Sequence, residues 1–346
     1  MSTALQVERA VGSHPGPAAR GAPHGVAAMM ARYLGEAVMR LFDDPAVTEV
    51  YVNPDGRIRL DSRSAGRVAE AGTLSPGHVE AFLNAVAASI GVTVGADRPR
   101  LEAELPHAPF DGARLQGFVP PVVAAPAFVI RRPAGVVIAL TEFVARGVCS
   151  ATAARVLAAA VADRETVLVA GPTGSGKTTL ANSLLQVIAH ECPADRVVLL
   201  EDTRELRCEA RDHLALRTGP GVTLADLVKS TLRSAPDRIV VGEVRGAEAL
   251  DLLDAWATGH PGGIGTLHAA SARGALERLD RLAQRAGVPA QRHLVAEAVG
   301  LVAVLHSVPD AAGVRRRHLV ELARVAGVGP DGAFHLTPLD LGDLAS

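Results

Sequence analysis

The residues with the clearest chemistry lie in the segment TVLVAGPTGSGKTTL, residues 166–180. This segment contains the pattern G-x-x-x-x-G-K-T, which runs from Gly171 through Gly176 and Lys177 to Thr178, between an apolar strand and a predicted helix. Glycines let the backbone turn so that its N–H groups face phosphate oxygens at the positive end of the helix. The pattern therefore predicts a phosphate loop for ATP, in which Lys177 reaches the β- and γ-phosphates and the Thr178 hydroxyl binds Mg²⁺.

A second apolar strand, in VVLLEDTREL, ends in Glu201 and Asp202. The carboxyl ends of parallel strands meet at the edge of the sheet that carries the phosphate loop. An acid there could orient the water shell of the metal ion or the attacking water. A solvated acidic turn is the alternative interpretation, because such turns are common.

A third apolar strand, in RIVVGEVRG, is followed by Gly242 and Glu243. In P-loop proteins such a strand usually ends in an aspartate that helps to hold Mg²⁺. Since Gly242 takes that position, we expect metal handling to fall to Thr178 and to the acids after the preceding strand. Glu243 could polarise a water molecule for in-line attack on the γ-phosphate.

Two histidines follow in TGHPGGIGTLHA. His268 closes an apolar strand on what should be the same edge of the sheet, where its imidazole could sense the γ-phosphate. We interpret His260 as a structural histidine. The spacing of the two is not that of a zinc pair such as H-E-x-x-H.

The elements that must position these residues alternate between helix and strand from Ala151 onward. The apolar strands TVLVA, RVVLLE, RIVVG and IGTLHA are separated by predicted helices, which cover 151–162, a stretch from Lys177, 223–234, 246–258 and 271–286. Strict alternation predicts βαβ crossovers and a mainly parallel sheet covered on both faces. We therefore predict an α/β domain over residues 151–346.

A smaller α+β domain is predicted before it, over residues 26–132. The turn Asn53-Pro54-Asp55-Gly56 joins two alternating strands into a hairpin. Ser75 and Pro76 are typical of a helix N-terminus, which predicts a helix over residues 75–90.

The remaining stretches are predicted as connections. Residues 133–150 link the two domains. Residues 1–25 are rich in Ala, Gly and Pro and lack the apolar core of a signal peptide, so we interpret them as a disordered tail.

Composition narrows the possible partners. The chain has 346 residues and a formal net charge of −2, so it has no overall attraction to nucleic acid or anionic lipid. The near-neutral charge and the content of only 3% aromatic residues disfavour direct nucleic-acid binding and a DNA-translocating helicase.

The three cysteines form no C-x-x-C pair, which argues against a zinc ribbon and suits a reducing cytoplasm. We interpret the basic run Arg315-Arg316-Arg317 as a solvated strand end or turn.

Taken in order, the four segments resemble those of the secretion or traffic ATPases of type II and type IV systems. GPTGSGKTT is similar to their phosphate loop, VVLLEDTREL to their acidic box, RIVVGEVRG to their aspartate-free second strand and GTLHA to their histidine box. The stretches VTEVYVNPDGRI, IRRP and TLRSAPDRIVVGEVRGAEALDLLDAW make the resemblance tighter with the conjugal-transfer branch, the TrbB type.

The resemblance implies a RecA-like P-loop ATPase domain and assigns a role to each candidate residue. The nucleotide would be bound by the phosphate-loop residues Gly171, Pro172, Thr173, Gly174, Ser175, Gly176, Lys177, Thr178 and Thr179. Glu243 would be the catalytic or water-orienting acid, with Glu201 and Asp202 assisting, and His268 would respond to the phosphate.

The resemblance also has implications beyond the phosphate loop. Arg114 and Arg131 match positions at which the N-terminal domain of these proteins supplies arginines to a nucleotide bound between the domains. The family further implies a ring of six subunits on the cytoplasmic side of the inner membrane, working with components of a secretion or conjugation apparatus.

The expected function is ATP hydrolysis that powers assembly or substrate transfer in a conjugative or type IV secretion apparatus. A motor for a tight-adherence or type IV pilus shares these motifs and stays open as an alternative. A nucleotide-gated scaffold with little hydrolysis also stays open, because Ala235 and Ala270 stand where family members often have arginine and asparagine.

Overall fold

The computed structural model of the chain describes residues 25–44, 46–62, 66–133, 137–219, 221–309 and 315–342. The tail predicted over residues 1–25 lies outside these ranges except for Gly25. The chain divides into two compact units, Met1–Pro133 and Ala134–Ser346.

The first unit is built on an antiparallel sheet. Its described elements are α1 (Val26–Leu41), β1 (Val47–Val52), β2 (Arg57–Ser62), β3 (Gly66–Thr73), α2 (Pro76–Ser89), β4 (Arg100–Glu104), α3 (His107–Phe110), β5 (Arg114–Phe118) and β6 (Ala127–Arg131). In the described ranges the strands form one six-stranded sheet in the order β3-β2-β1-β6-β5-β4.

Local sequence signals explain most of this unit. On α1, Met30, Leu34 and Val38 recur every four residues and are buried on one face of the helix. As predicted, α2 has Pro76 at its start and the Ser75 hydroxyl accepts a hydrogen bond from the His78 N–H. Strand β3 was not predicted, because GRVAEAGT has weak strand propensity; it forms through antiparallel pairing with β2.

The second unit carries the phosphate loop. Its described elements are α4 (Leu140–Ala145), α5 (Ala151–Ala162), β7 (Val167–Ala170), α6 (Lys177–Glu191), β8 (Arg196–Glu201), β9 (Asp212–Arg217), α7 (Leu224–Thr231), β10 (Arg238–Val241), α8 (Glu248–Ala257), β11 (Ile264–Leu267), α9 (Ala272–Ala283) with a 3₁₀ turn Gln284–Ala286, α10 (Arg292–Ala298), β12 (Leu301–Pro309), β13 (Arg315–Val328) and β14 (Phe334–Pro338).

These strands form a mixed sheet that is mainly parallel. The order within the described ranges is β14-β13-β12-β7-β11-β10-β8-β9, in which neighbours from β12 to β9 are parallel. Strands β13 and β14 are antiparallel additions at one edge. The strict alternation predicted from the sequence included neither this edge nor β9, because these strands are held by pairing with neighbours rather than by a βαβ signal.

Both faces of this sheet are covered, which explains why its strands are apolar throughout. On β7, Leu168 and Ala170 belong to a core cluster shared with α7, α8, α9 and α10. Val167 and Val169 belong to a second cluster, shared with α4, α5 and α6. Burial of apolar surface on both faces is the main force that holds the helices against the sheet.

The segment predicted to connect the domains contributes to that second cluster. Within its described part, residues 137–150, Leu140, Phe143 and Cys149 are buried against α5 and α6. We therefore describe these residues with the second unit.

A buried charge anchors the edge of the sheet opposite the phosphate loop. Arg238, the first residue of β10, is fully buried; its Nε donates to Asp195 Oδ2 at 2.6 Å and its Nη1 donates to the Val161 carbonyl at 2.8 Å. A paired and hydrogen-bonded charge is the form in which a buried arginine is tolerated.

Among the described residues, no helix is long and apolar enough to cross a bilayer.

Candidate active site

The phosphate loop connects β7 to α6 through three glycines that need unusual backbone angles. Gly171, Gly174 and Gly176 have φ of 156°, 76° and 99°, in the range that side chains rarely adopt. A Cβ at Gly171 would lie 2.3 Å from the Leu305 carbonyl oxygen, so glycine is also required for space. Pro172 and Thr173 are exposed on the same loop.

Lys177 lies at the start of α6, with its ammonium group inside the loop. The residue is 8% exposed. Its Nζ donates to the carbonyl oxygens of Gly171 and Pro172 at 3.0 and 3.1 Å. The same Nζ lies 3.1 Å from Nδ1 of His268 at the end of β11. The predicted phosphate-binding lysine and the predicted histidine are therefore in direct contact.

His268 joins Lys177 to Glu243. Its Nε2 lies 3.1 Å from Glu243 Oε1. Its Nδ1 faces both the Lys177 ammonium group, which can only donate, and the Gly171 carbonyl oxygen at 3.3 Å, which can only accept. Three residues predicted from separate segments thus form one continuous chain beside the phosphate loop.

Arg245 holds the other oxygen of Glu243. Its Nη2 donates to Glu243 Oε2 at 2.6 Å. Burial alone would raise the pKa of Glu243, but the hydrogen bond and charge of Arg245, with the charges of His268 and Lys177, outweigh burial and lower it. Glu243 therefore carries a negative charge at neutral pH. Sequence reasoning did not single out Arg245, although it stands two residues after Glu243 in RIVVGEVRG.

Thr178 contacts an acid that sequence reasoning missed. Thr178 Oγ1 donates to Glu205 Oε2 at 3.1 Å. Asn182 on α6 holds the backbone of this loop, because its Nδ2 donates to the Glu205 carbonyl at 3.0 Å and its Oδ1 accepts from the Arg207 N–H at 2.8 Å. Glu205 is the last acid of VVLLEDTREL, so the available signal was a third carboxylate in the same segment.

Glu201, the last residue of β8, holds the loop that carries Glu205 by hydrogen bonds to its backbone. It is 4% exposed, and its Oε1 accepts the N–H groups of Glu205 and Leu206 at 2.8 and 2.7 Å. Burial raises the pKa of Glu201 to about 7, although these hydrogen bonds oppose the increase. Asp202 is exposed and accepts a hydrogen bond from Thr218 Oγ1 at 3.2 Å.

The structure gives a physical reason for the glycine that replaces the usual aspartate. A Cβ at Gly242 would lie 3.3 Å from Cγ and 3.5 Å from Oε1 of Glu201, on the neighbouring strand β8. Glu201 occupies the space that a side chain at position 242 would need. The buried position of the Glu201 side chain on β8 therefore depends on glycine at position 242.

His260 is bound to the backbone, in keeping with the structural interpretation. Its Nδ1 lies 2.7 Å from the Pro236 carbonyl oxygen, which can only accept, so Nδ1 carries the hydrogen.

Arg114 and Arg131, the arginines predicted from the first domain, are paired directly opposite each other on β5 and β6. The same row of the sheet continues to Glu104 beside Arg114 and to Glu49 beside Arg131. Arg131 Nε lies 3.7 Å from Glu49 Oε1. Each arginine therefore has a carboxylate at the next position of the row, which offsets the repulsion between the two like charges.

The residues of the loop fit a nucleotide and Mg²⁺. The Ser175 hydroxyl is buried and has no hydrogen-bond partner among the described residues. Buried hydroxyls in native proteins nearly always have a partner, so this one fits a loop that a ligand completes. The Thr178 hydroxyl beside the Glu205 carboxylate supplies the oxygen donors that Mg²⁺ prefers.

The described geometry agrees with one family model. The model for the Type II/IV secretion system protein family matches residues 97–322, which include every candidate site residue. The chain belongs to this family. The family identity confirms the resemblance based on the four motif segments.

This secretion-system family member is similar to two conjugal transfer proteins named TrbB. It is 41% identical to the one from Rhizobium radiobacter over 269 residues, which cover 78% of this chain and 82% of that protein. It is 40% identical to the one from Sinorhizobium fredii over 293 residues, which cover 85% of this chain and 88% of that protein. Its fold is similar to that of the Legionella pneumophila ATPase DotB, with a TM-score of 0.59, 20% identity, and coverage of 83% and 78% of the two chains.

Proposed function

We propose that this protein hydrolyses ATP with Mg²⁺ and acts as a motor of a conjugative or type IV secretion apparatus. The observation that carries the proposal is the chain Lys177–His268–Glu243 beside the phosphate loop, with both contacts at 3.1 Å. It joins a phosphate-binding cation to an acid that can act on water. The similarity to proteins named for conjugal transfer supports the choice of apparatus.

We assign a role to each of the three linked residues, Lys177, His268 and Glu243, from its contacts. Lys177 exchanges the carbonyl oxygens of Gly171 and Pro172 for the β- and γ-phosphates. Glu243, charged and held by Arg245, orients the attacking water. His268 contacts both groups, so a change at the γ-phosphate reaches Glu243 through it.

The acids at and after the end of β8 have different roles near the Mg²⁺ site. Bound Mg²⁺ would neutralise charge on the β- and γ-phosphate oxygens. Thr178 would bind it directly, and Glu205 would hold Thr178 and the water shell. Glu201 acts through the backbone of residues 205 and 206, and Asp202 assists from the rim of the site.

Several parts of the proposal concern the assembled protein. Arg114 and Arg131 reach the nucleotide from the N-terminal domain, 26–132, while residues 151–346 form a RecA-like ATPase domain. Binding between two domains would couple the nucleotide state to domain closure. We further propose a hexameric ring at the cytoplasmic face of the inner membrane, in contact with proteins of the apparatus.

The proposal is tested by measuring the mass of the purified protein with and without ATP and Mg²⁺, together with phosphate release. A six-subunit species that releases phosphate supports the motor. Tight ATP binding with phosphate release at background, in the presence of membrane lipid and partner proteins, would favour the nucleotide-gated scaffold instead.

A further inference from the structure

The segment between β10 and α8, residues 242–247, carries both Glu243 and Arg245 and contains neither helix nor strand. Arg245 Nη2 donates to Glu243 Oε2 at 2.6 Å, although half of the Arg245 side chain is exposed. A long exposed side chain keeps many rotamers, so packing alone does not hold the guanidinium beside the acid. Its position therefore depends on how the backbone of residue 245 is held.

A buried carboxylate holds that backbone. Glu248, the first residue of α8, is 8% exposed. Its Oε1 accepts the N–H groups of Arg245 and Gly246, both at 2.7 Å. Such charge-assisted hydrogen bonds are stronger than those between neutral groups. Arg285 Nη1 donates to the Arg245 carbonyl oxygen at 2.9 Å, so the backbone of Arg245 is bound at both of its polar groups.

Gly246 leaves the space that the Glu248 carboxylate needs. A Cβ at Gly246 would lie 2.7 Å from Glu248 Oε2, which is closer than a carbon and an oxygen atom can approach without a shift. A side chain at position 246 would therefore push the carboxylate away from the two N–H groups. The pattern of glycine at 246 and glutamate at 248 suits the hydrogen bonds to residue 245.

Helix capping does not account for these hydrogen bonds. An acid that caps a helix accepts from the free N–H groups of the first turn. Glu248 instead binds two N–H groups that precede α8, and one of them belongs to the arginine that holds Glu243. The buried acid is therefore directed at the active-site segment.

We propose that Glu248 is a positioning residue for ATP hydrolysis, which acts by holding Arg245 against the carboxylate of Glu243. The inference rests on the proposed function, because the role of Glu243 in orienting water is assigned there. Glu248 acts on the backbone and not on the nucleotide, so its loss should impair the chemical step and spare nucleotide binding. Arg285 supports the same backbone from an exposed position, and its contribution should be smaller.

The first test separates turnover from binding. Glu248→Ala should lower kcat with ATP and Mg²⁺ by about 10-fold or more, because a small displacement of a catalytic group has a large effect on rate. The dissociation constant of the β,γ-imido analogue of ATP should change by less than about twofold. Retained binding of the analogue also shows that the variant is folded.

Two further variants define the chemical requirement at position 248. Glu248→Gln keeps an oxygen for the two N–H groups and should recover most of the lost kcat. Asp251→Ala is the matched control, because it removes the other acid of the first turn of α8, which pairs with Lys229 at 3.6 Å. It should behave like the parent.

The second test uses a pH dependence that a purely structural role would not produce. Burial raises the pKa of Glu243, and the hydrogen bond and charge of Arg245 lower it. Glu248→Ala should release Arg245, so the acid limb of its kcat/KM profile should move to higher pH. The double variant with Arg245→Ala should lose no more kcat than Arg245→Ala alone, since Glu248 acts through Arg245.

Gly246→Ala repeats the second test without removing the acid. The added methyl group should displace the Glu248 carboxylate, and the acid limb should again move to higher pH. This variant keeps the inference open to refutation if Glu248→Ala does not fold.

Other outcomes separate this inference from the proposed function. If the losses from Glu248→Ala and Arg245→Ala multiply, or if the acid limbs of Glu248→Ala and Gly246→Ala superpose on that of the parent, Glu248 is only structural and the inference is overturned. Loss of analogue binding in Glu248→Gln would overturn it as well. If the parent releases no phosphate, the proposed function itself fails, and the inference fails with it.

Discussion

The hydroxyl of Thr178 donates a hydrogen bond of 3.1 Å to the carboxylate of Glu205. This contact joins the predicted Mg²⁺ ligand to an acid that lies four residues beyond the end of β8. The loop that carries Glu205 is held by Glu201 from within the sheet and by Asn182 from α6. The metal side of the site is therefore built by tertiary hydrogen bonds around a locally encoded phosphate loop.

Glu205→Gln should reduce Mg²⁺-dependent ATP turnover by about 10- to 100-fold, because partners that orient a metal ligand typically contribute that much. It should also raise the Mg²⁺ concentration that gives half-maximal activity. Glu209→Gln, at an exposed position of the same loop, is the matched control and should behave like the parent. Equal Mg²⁺ titrations for the parent and Glu205→Gln would contradict this assignment.

Arg245→Ala should shift the acid limb of the kcat/KM profile for ATP to higher pH. Arg245 lowers the pKa of Glu243, so its removal leaves burial to raise that pKa. Arg245→Lys keeps a positive charge and should recover part of the shift. Arg273→Ala, at an exposed position on α9, is the control. A pH profile for Arg245→Ala that superposes on that of the parent would count against this role.

Glu201 should make the free energy of unfolding depend on pH. Its pKa is about 7 in the folded protein against an ordinary value of 4.5, so the folded state binds more protons between these two pH values. The stabilisation is complete below pH 4.5 and is lost as the pH rises to about 7, amounting to about 3 kcal/mol. Charged neighbours Glu205 and Arg204 contribute to this pKa as well.

Glu201→Gln tests this dependence, because the amide keeps an oxygen for the two backbone N–H groups but does not titrate. Urea unfolding from pH 4.5 to 8 should show a flatter profile for the variant. Its stability relative to the parent should increase with pH. A parent and variant with the same pH slope would show that Glu201 does not titrate in this range.

Gly242→Asp should destabilise the protein rather than restore a conventional metal site. Its Cβ would lie 3.3 Å from Glu201 Cγ, and its carboxylate would be held beside a buried acid. We expect a loss of about 3 kcal/mol in the free energy of unfolding for Gly242→Asp. For Gly242→Ala, in which Glu201 need move by only a few tenths of an ångström, we expect about 1 kcal/mol. An aspartate variant as stable as the alanine variant would refute the steric explanation.

The parts of the site that the sequence predicted are those encoded locally. Gly171, Gly176 and Lys177 form the loop between β7 and α6 because the glycines permit its backbone angles. Glu205 and Arg245 were missed because their positions depend on hydrogen bonds from other elements, which spacing does not reveal. The contact of Arg317 Nε with the Gly174 carbonyl oxygen, at 3.3 Å, was missed for a similar reason, since Arg317 reaches the loop through pairing of β12 with β13.

The same distinction holds for the fold. Helix α2 and the apolar strands β7, β8, β10 and β11 were predicted from caps and periodicity, within a few residues of their observed ends. Strands β9, β12, β13 and β14 were not predicted, because they depend on pairing with neighbouring strands rather than on a βαβ pattern.

The most direct test of the account is phosphate release from ATP and Mg²⁺ by the parent, Lys177→Ala and Glu243→Gln under one set of conditions. Lys177 binds the phosphates and Glu243 acts on water, so each variant should lose turnover by about 100-fold or more. Glu243→Gln should still bind the β,γ-imido analogue of ATP, whereas Lys177→Ala should bind it weakly. Turnover by both variants at the rate of the parent would contradict the assignment of this site as an ATPase centre.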